Sequence, residues 1–369
     1  MSSIYDELYR RRVSRRQPSV TESRRRDFSA DRVCVVDGAA VSAAGMFLMH
    51  GGLPDTPPIA SPWPLLTDAN GFPRLAKPIK TMAASDRHLG IDGRLNSIWA
   101  LLAGSLDGLV RQLPDDEKVD VVICLPEVAS LSFRQSLQQS LVERLTTYNL
   151  WQEGESVCHI TSSSATLNTM LAPDPNVGGM RWVVVCSIDS LLEEHQLGQW
   201  GTSADQQTSV IAGEGGALIL FERVAPAALP SLGRFWINSK EQSFEETSKP
   251  LPMKKHPRIA ALSALLEALV PAEASAPPDV CVMDIGMGEP AGDAFMALFE
   301  RWPNQYAPMV NCHALDYYNG YIGEATFAVM LMMAVAAIED TDSALLLSLG
   351  QAGISAVSLL MPVHAESQA

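Results

Sequence analysis

The chain has 369 residues, of which 47% are hydrophobic and 19% are charged, and its net charge at pH 7 is −15. This length allows a large buried core, and the absence of any run of 18 or more apolar residues predicts no membrane span. The acidic balance argues against a nucleic-acid partner, because binding to DNA depends on neutralising phosphates. We expect a cytoplasmic protein, since the N-terminus shows no apolar signal segment.

The first segment, residues 1–30, differs from the rest of the chain in its charge. It carries eight arginines and four acidic residues, so its charge is +4 and the remaining chain carries −19. This composition predicts a solvated, disordered arm, although such a segment could also contact nucleic acid or an acidic protein surface. Residues 364–369 are expected to form a short tail.

The first half of the folded chain is predicted as residues 31–227, in which apolar strands alternate with helices. Strands are predicted at 32–36, 119–125, 157–160, 181–188 and 212–224. Helical periodicity predicts helices at 89–110, 133–148 and 165–171. Seven prolines within 51–80 predict an extended surface excursion.

The second half is predicted as residues 228–363 and repeats the same alternation. Strands are predicted at 233–237, 281–284, 309–312, 344–349 and 354–361, the last two as an antiparallel pair. Helices are predicted at 258–269, 294–302 and 323–338, with a polar loop at 239–255. The helix at 323–338 is nearly all apolar and should be buried on all sides. Strands this apolar need helices on both faces, which indicates an α/β fold with a shared central helix layer.

The cysteines and histidines show no metal-binding spacing. The six cysteines lie mostly in apolar, strand-like runs, without a CxxC pattern, and the seven histidines are scattered. Buried, reduced thiols in a cytosolic core are the expected state. We therefore predict no metal site and no cofactor.

One glycine-rich stretch, residues 285–293, reads IGMGEPAGD and joins a predicted strand to a predicted helix. It lacks the Lys-Ser/Thr of a P-loop and the spacing of a dinucleotide-binding turn. Other short stretches stand out in the same chain: RVCVVDGAAVSAAG at 32–45, ITSSSAT at 160–166, SIDSL at 187–191, GEGGALIL at 213–220, NGYIGEATF at 319–327 and LGQAGISAVSLL at 349–360.

Taken in order, these stretches resemble motifs of the thiolase superfamily, in its β-ketoacyl synthase branch. IGMGEPAGD resembles HGTGTxxGD, ITSSSAT resembles the nucleophile motif TACSSS, and NGYIGEATF resembles the second His motif, IGHTxAAAG. The resemblance implies a thiolase-like α/β fold, with two similar halves in an αβαβα arrangement. It also implies a homodimer, with the runs 157–160 and 182–188 near the interface.

The resemblance places the family's catalytic positions on residues of different chemistry. The nucleophilic Cys falls at Ser163, the first His at Ile285, the second His at Tyr321, and the Lys that precedes the second His at Asp316. A serine needs an adjacent base, an isoleucine carries no proton, and a tyrosine is a poor base near neutral pH. We therefore predict that the chain is not an enzyme.

Three functions are compatible with this pattern. The first is a non-catalytic protein that acts through protein–protein interactions, and the resemblance suggests an accessory or adaptor for a bacterial type VI secretion effector. The second is a silent partner of an active ketosynthase, like a chain-length factor. The third is a residual serine acyltransferase or hydrolase that uses Ser163, for which His159 or His313 would have to serve as the base.

Three acidic residues near these motifs have two interpretations each. Glu214 is expected to be structural rather than catalytic. Asp293 is expected to cap a helix that begins at residue 294 rather than to act as a base. Glu324 enters an apolar helix, where it could mark an altered pocket or interact with the helix dipole.

Overall fold

The computed structural model describes residues 32–67, 70–80, 90–115, 117–162, 167, 171, 180–193, 211–224, 229–243, 256–270, 277–286, 288–303, 311–349 and 354–363. The strands are β1 (Arg32–Ser42), β2 (Gly45–Leu48), β3 (Ser61–Thr67), β4 (Pro73–Lys77), β5 (Val119–Cys124), β6 (Cys158–Thr161), β7 (Trp182–Ser190), β8 (Ala212–Val224), β9 (Phe235–Ser243), β10 (Val280–Met283), β11 (Cys312–Ala314), β12 (Ala344–Ser348) and β13 (Ile354–Pro362). The helices are α1 (Ile91–Val110), α2 (Leu131–Thr147), α3 (Pro257–Leu269), α4 (Glu289–Arg301), α5 (Leu315–Asn319) and α6 (Thr326–Ala337), and a 3₁₀ turn (Gly323–Ala325) precedes α6.

The main sheet consists of two repeats of one strand pattern. Its order is β11-β10-β12-β13-β9-β1-β8-β7-β5-β6, so each half has the same order when read outward from the centre. In the first half β6, β5 and β7 pair in parallel, and β8 pairs antiparallel with β7 on one side and with β1 on the other. In the second half β11, β10 and β12 pair in parallel, and β13 pairs antiparallel with β12 and with β9. The halves meet where β1 pairs antiparallel with β9, with Cys34 opposite Trp236.

The helices form three layers around these strands. Helices α1 and α2 cover the outer face of the first half, and α3 and α4 cover the outer face of the second. Apolar residues on the inner faces of both halves form one core with α6. The predicted αβαβα fold of two similar halves is therefore confirmed.

Helix α6 is central because it has no polar face to turn toward water. Its sequence TFAVMLMMAVAA is buried from Thr326 to Ala336, and it contacts strands from both halves. A helix that is apolar all round is stable only when it is enclosed by protein. The prediction of a fully buried helix is confirmed, although the α-helix begins three residues after the predicted start because Gly323–Ala325 forms a 3₁₀ turn.

Two predicted connecting segments are more ordered than their sequences suggested. The prediction of a loop at 239–255 is wrong for residues 239–243, because β9 continues to Ser243 by pairing with β13. Its polar residues lie mostly on the exposed side, while Ser239 is buried and bonds to Ser358 (Oγ–Oγ 2.8 Å). The excursion at 51–80 contains the β3–β4 hairpin, and β4 pairs with β8. Proline-rich composition did not reveal this hairpin, because its buried residues are few.

No helix in the described ranges is both long enough and apolar enough to cross a membrane.

Candidate functional site

Ile285, the predicted first His position, follows Asp284 after the end of β10, where the chain turns toward α4. Its side chain is half-buried, and the preceding Asp284 is buried and accepts the backbone N–H of Leu349 at 2.8 and 2.9 Å. A Cβ at Gly286 would lie 2.3 Å from the Cβ of Ala314, so this turn requires glycine. The glycine-rich stretch is therefore packed tightly against the end of β11.

The helix that follows this turn differs from its prediction. Helix α4 begins at Glu289 rather than 294, with Pro290 in its first turn, a position that suits proline. Asp293 therefore lies inside the helix and does not cap it. Its carboxylate pairs with His256 Nδ1 at 2.8 Å and Arg258 Nη1 at 3.4 Å, which links α4 to α3.

Asp316, the predicted Lys position, lies at the start of the short helix α5 and contacts the glycine-rich turn. Its Oδ1 accepts the N–H of Gly286 at 3.0 Å. Burial raises the pKa of Asp316, and the N–H donors of Gly286 and Tyr317 and the charge of Lys77 offset part of this rise. The turn that contains Ile285 and the start of α5 are thus adjacent and are joined by a hydrogen bond.

A lysine from the hairpin reaches the same place. Lys77, the last residue of β4, is buried and donates to the carbonyl oxygens of Asp316 (3.3 Å) and Tyr317, and it also lies 5.5 Å from the centre of the Tyr317 ring. Burial lowers the pKa of Lys77, and Asp316 partly counters this. The sequence analysis missed Lys77, because it is about 240 residues from Asp316 along the chain.

Tyr321, the predicted second His position, is built into the packing of the hairpin. Its backbone N–H donates to the carbonyl of Ile211 at 2.8 Å, and its carbonyl accepts the N–H of Gly213 at 2.8 Å. Its ring is buried in a cluster with Trp63, Leu66, Ala76, Leu191, Leu192 and Ala212. Burial raises the pKa of Tyr321 far above its ordinary value, and the nearby carboxylates of Asp284, Glu324 and Asp189 raise it further. The phenol therefore stays protonated and cannot act as a base.

Glu324 is the middle residue of the 3₁₀ turn, and its backbone is held by β7. Its backbone N–H donates to Asp189 Oδ2 at 2.7 Å, and its carbonyl accepts the hydroxyl of Ser187 at 3.2 Å. The preceding Gly323 has φ of +59°, and a Cβ there would lie 2.1 Å from Asp189 Oδ2. Burial raises the pKa of Asp189 to about 7, although the N–H groups of Glu324 and Ser190 favour its charged form.

Ser163 lies outside the described residues, which continue along β6 only to Ser162. Two cysteines near this end of the sheet have pKa values that are raised by burial, Cys158 to about 11 and Cys124 by more. Both thiols therefore stay protonated at neutral pH. His159 is exposed on β6, whereas burial lowers the pKa of His313 on β11.

A buried ion pair connects the hairpin to the central sheet. Glu214 on β8 accepts hydrogen bonds from Arg94 Nη2 (2.6 Å), from the hydroxyl of Ser190 (3.1 Å) and from the N–H of Ile79 (2.9 Å), and it is fully buried. Arg94 also lies 5.1 Å from the ring centre of Trp63 in the hairpin. These contacts agree with a structural role for Glu214.

No protein-family model matches this chain, and no curated protein does. Among solved structures, it is similar to a β-ketoacyl synthase from Burkholderia phymatum STM815, with 13% identity, a TM-score of 0.57 and coverage of 90% of this chain and 99% of that one. It is also similar to the ishigamide ketosynthase/chain length factor, with 14% identity, a TM-score of 0.56 and the same coverage.

A third similar structure is a complex of a type II polyketide synthase acyl-carrier protein with its ketosynthase, at 11% identity and a TM-score of 0.56 over 90% of this chain and 99% of that one. Identities this low establish the fold alone.

This chain has the thiolase-type fold of the ketosynthases. Within it, Ile285, Asp316 and Tyr321 lie near the carboxyl ends of β10 and β11 or in the segment that follows them. In the described ranges, no group of three or more His, Cys, Asp or Glu side chains could hold a metal ion. The described site is thus made of buried carboxylates, a lysine and a tyrosine, closed by the β3–β4 hairpin.

Replacing Arg94 with methionine should destabilise the thiolase-fold domain by about 3–5 kcal/mol, because Glu214 would be left buried without its cation. Denaturant unfolding monitored by circular dichroism measures this loss. Arg144→Met is the matched control, since Arg144 and Asp107 form a partly exposed pair that contributes about 0–1 kcal/mol. Equal losses in the two variants would show that the buried pair does not hold the hairpin.

Replacing Asp189 with asparagine should weaken the pH dependence of stability between about pH 4 and pH 7. In this range the folded chain keeps a proton on Asp189 that the unfolded chain has released, so raising the pH favours unfolding. Thermal unfolding midpoints at pH 5 and pH 7.5 should therefore differ less in Asp189→Asn than in the wild type. Asp107→Asn controls for the loss of one carboxylate, and identical pH profiles in the wild type and Asp189→Asn would refute this role for Asp189.

Proposed function

We propose that this chain does not condense acyl groups and acts instead by binding another protein. The observation that carries this proposal is the state of Tyr321, which is buried under the hairpin with a pKa far above neutrality. A general base must be able to accept a proton near the working pH. A residue fixed in this way serves packing rather than proton transfer.

The lack of a histidine at the second His position does not depend on how this motif is aligned. The pair Ile322-Gly323 also matches the Ile-Gly of IGHTxAAAG, and this alignment moves the His position to Glu324 and the Lys position to Asn319. Asn319 is fully buried, and its side chain accepts the Ser42 hydroxyl at 2.5 Å. Neither alignment supplies an imidazole, and Ile285 supplies none at the first position.

The strand β6 supports binding to a second thiolase-fold subunit. It is the edge strand of the sheet within the described residues, and its side chains are half-buried or exposed. An edge strand can pair with a strand of another chain. The run 182–188 cannot contact a partner directly, since β7 lies between β5 and β8 with every residue buried. A homodimer through β6, or a heterodimer with an active ketosynthase, fits this edge.

The heterodimer is favoured by the nature of the similar structures, which include a ketosynthase/chain length factor and a ketosynthase with its acyl-carrier protein. This makes a chain-length-factor-like subunit the best-supported form of the proposal. The adaptor of a type VI secretion effector remains a second form, which rests on the sequence resemblance.

Purification of the tagged chain from its native host should recover an intact ketosynthase or an acyl-carrier protein. Recovery of secretion spike or effector proteins would replace this form of the proposal with the adaptor.

The variant His159→Lys places a charge on the exposed side chain of β6 and should release a partner that pairs there. Gln135→Lys, on the exposed side of α2, is the matched control. A chain that purifies alone and turns over acyl thioesters would overturn the proposal.

The alternative of serine acyl transfer is tested at Ser163. We expect a fluorophosphonate probe to leave the folded chain unlabelled, because no imidazole occupies a motif position beside Ser163. Intact-mass spectrometry measures the labelling. Labelling that disappears in Ser163→Ala, while both proteins keep the same circular dichroism, would show an active serine and contradict the non-catalytic proposal.

A further inference from the structure

Two cysteines face each other across neighbouring strands of the second half. Cys281 on β10 is in register with Cys312 on β11, and the two strands are parallel. Adjacent strands lie about 4.8 Å apart, which is inside the range of about 4.4–6.8 Å that disulfides span between Cα atoms. Both side chains lie on the sheet face that packs against α3 and α4. The backbone geometry therefore permits a bond between the two sulfurs.

The two thiols are already in contact and differ in accessibility. Their residues are direct partners in the strand register, and neither thiol takes part in a disulfide in the structure. Cys281 is buried, whereas Cys312 is half-buried on β11, at one end of the described strand order. A small oxidant can therefore reach Cys312 first, with Cys281 next to it.

The chemistry of the pair separates it from the other cysteines near the site. The hydrogen bond from Cys281 lowers the pKa of Cys312, although burial opposes this, while the same hydrogen bond and burial raise the pKa of Cys281. Burial raises the pKa of Cys124, Cys158 and Cys186. Since the thiolate is the reactive form of cysteine, the direction of this pKa shift favours Cys312 as the first of these thiols to react.

We propose that Cys281 and Cys312 form a dithiol modification site that peroxides oxidise reversibly to a disulfide. The Cys312 thiolate attacks one peroxide oxygen and breaks the O–O bond, which gives a sulfenic acid at Cys312 and releases hydroxide. The sulfur of Cys281 then attacks the Cys312 sulfur, loses its proton and displaces water. In balance, two thiols and one hydrogen peroxide give one disulfide and two waters, and a thiol reductant reverses the change.

The site is placed to alter the turn after β10 and the start of α5 after β11. β10 leads into Ile285 and Gly286, and β11 leads into Asp316, whose carboxylate accepts the Gly286 N–H. Disulfide formation draws the sulfurs to about 2.0 Å, so the two strands must adjust to each other. Oxidation should therefore change hydrogen exchange at 284–286 and 313–316 more than elsewhere.

The test uses the full-length chain, treated with hydrogen peroxide and then denatured and alkylated with N-ethylmaleimide. Trypsin cleaves after Arg258 and Arg301, which places Cys281 and Cys312 in separate peptides, 259–301 and 302–369, each with one cysteine. We expect these peptides to be recovered joined, with two fewer alkylated cysteines per chain. Dithiothreitol should separate them and restore both alkylations.

Single substitutions locate the bond. Cys281→Ser and Cys312→Ser should each abolish the joined peptide, whereas Cys158→Ser, which removes the half-buried thiol on β6, should leave it unchanged. The mapping in the wild type is informative even if a variant folds poorly. Six alkylated cysteines after peroxide treatment of the folded chain, a sulfinic acid at Cys312 without a joined peptide, or a disulfide through another cysteine would overturn the proposal.

Discussion

Asp189 accepts the backbone N–H of Glu324 at 2.7 Å, just before the helix that packs against the inner faces of both halves of the sheet. Helix α6 is buried along its length and carries only one polar side chain, Thr326, so side-chain polarity cannot fix its position. The backbone groups at a helix start must find partners, and burial makes an unpaired group costly. Asp189 and Ser187 on β7 supply partners from the first half to the start of α6 in the second. This contact adds to the pairing of β1 with β9 and to the shared core in joining the two halves.

A second set of contacts closes the same region from the surface. The ion pair of Arg94 and Glu214 contacts the hairpin through the ring of Trp63. Lys77, which belongs to the hairpin, donates to the carbonyl oxygen of Asp316 at the start of α5. Buried charges are tolerated when they are paired or hydrogen-bonded, and here the backbone supplies several of those bonds. The polar groups of the described site therefore maintain structure, and Tyr321 lies among them as part of the packing.

The positive charge that the family motif would place at residue 316 is supplied in this region by a lysine from the strand β4. Asp316 puts a carboxylate at a position that the resemblance assigns to a lysine, and Lys77 brings a positive charge to it from β4. Burial shifts the pKa values of both groups toward their neutral forms, and each group opposes the shift of the other. Such a pair couples the hairpin to the turn after β10 and to the start of α5. The dithiol of Cys281 and Cys312 lies just before these two segments, on β10 and β11.

Sequence patterns were sufficient for the main architecture, because burial imposes a composition that can be read directly. Strands such as β7 and the helix α6 are almost entirely apolar, and only a layered fold encloses such segments. The order of the motifs predicted the thiolase-type fold, which the structure confirms, whereas the assignment of Ile285, Asp316 and Tyr321 to catalytic positions stays a prediction. The polar end of β9 could not be predicted, since pairing with β13, rather than its own composition, makes it a strand. The contact of Lys77 with α5, the burial of Tyr321 under the hairpin and the pairing of Cys281 with Cys312 likewise required the folded chain. They join residues far apart in sequence, and local propensity carries no information about which distant segments will meet.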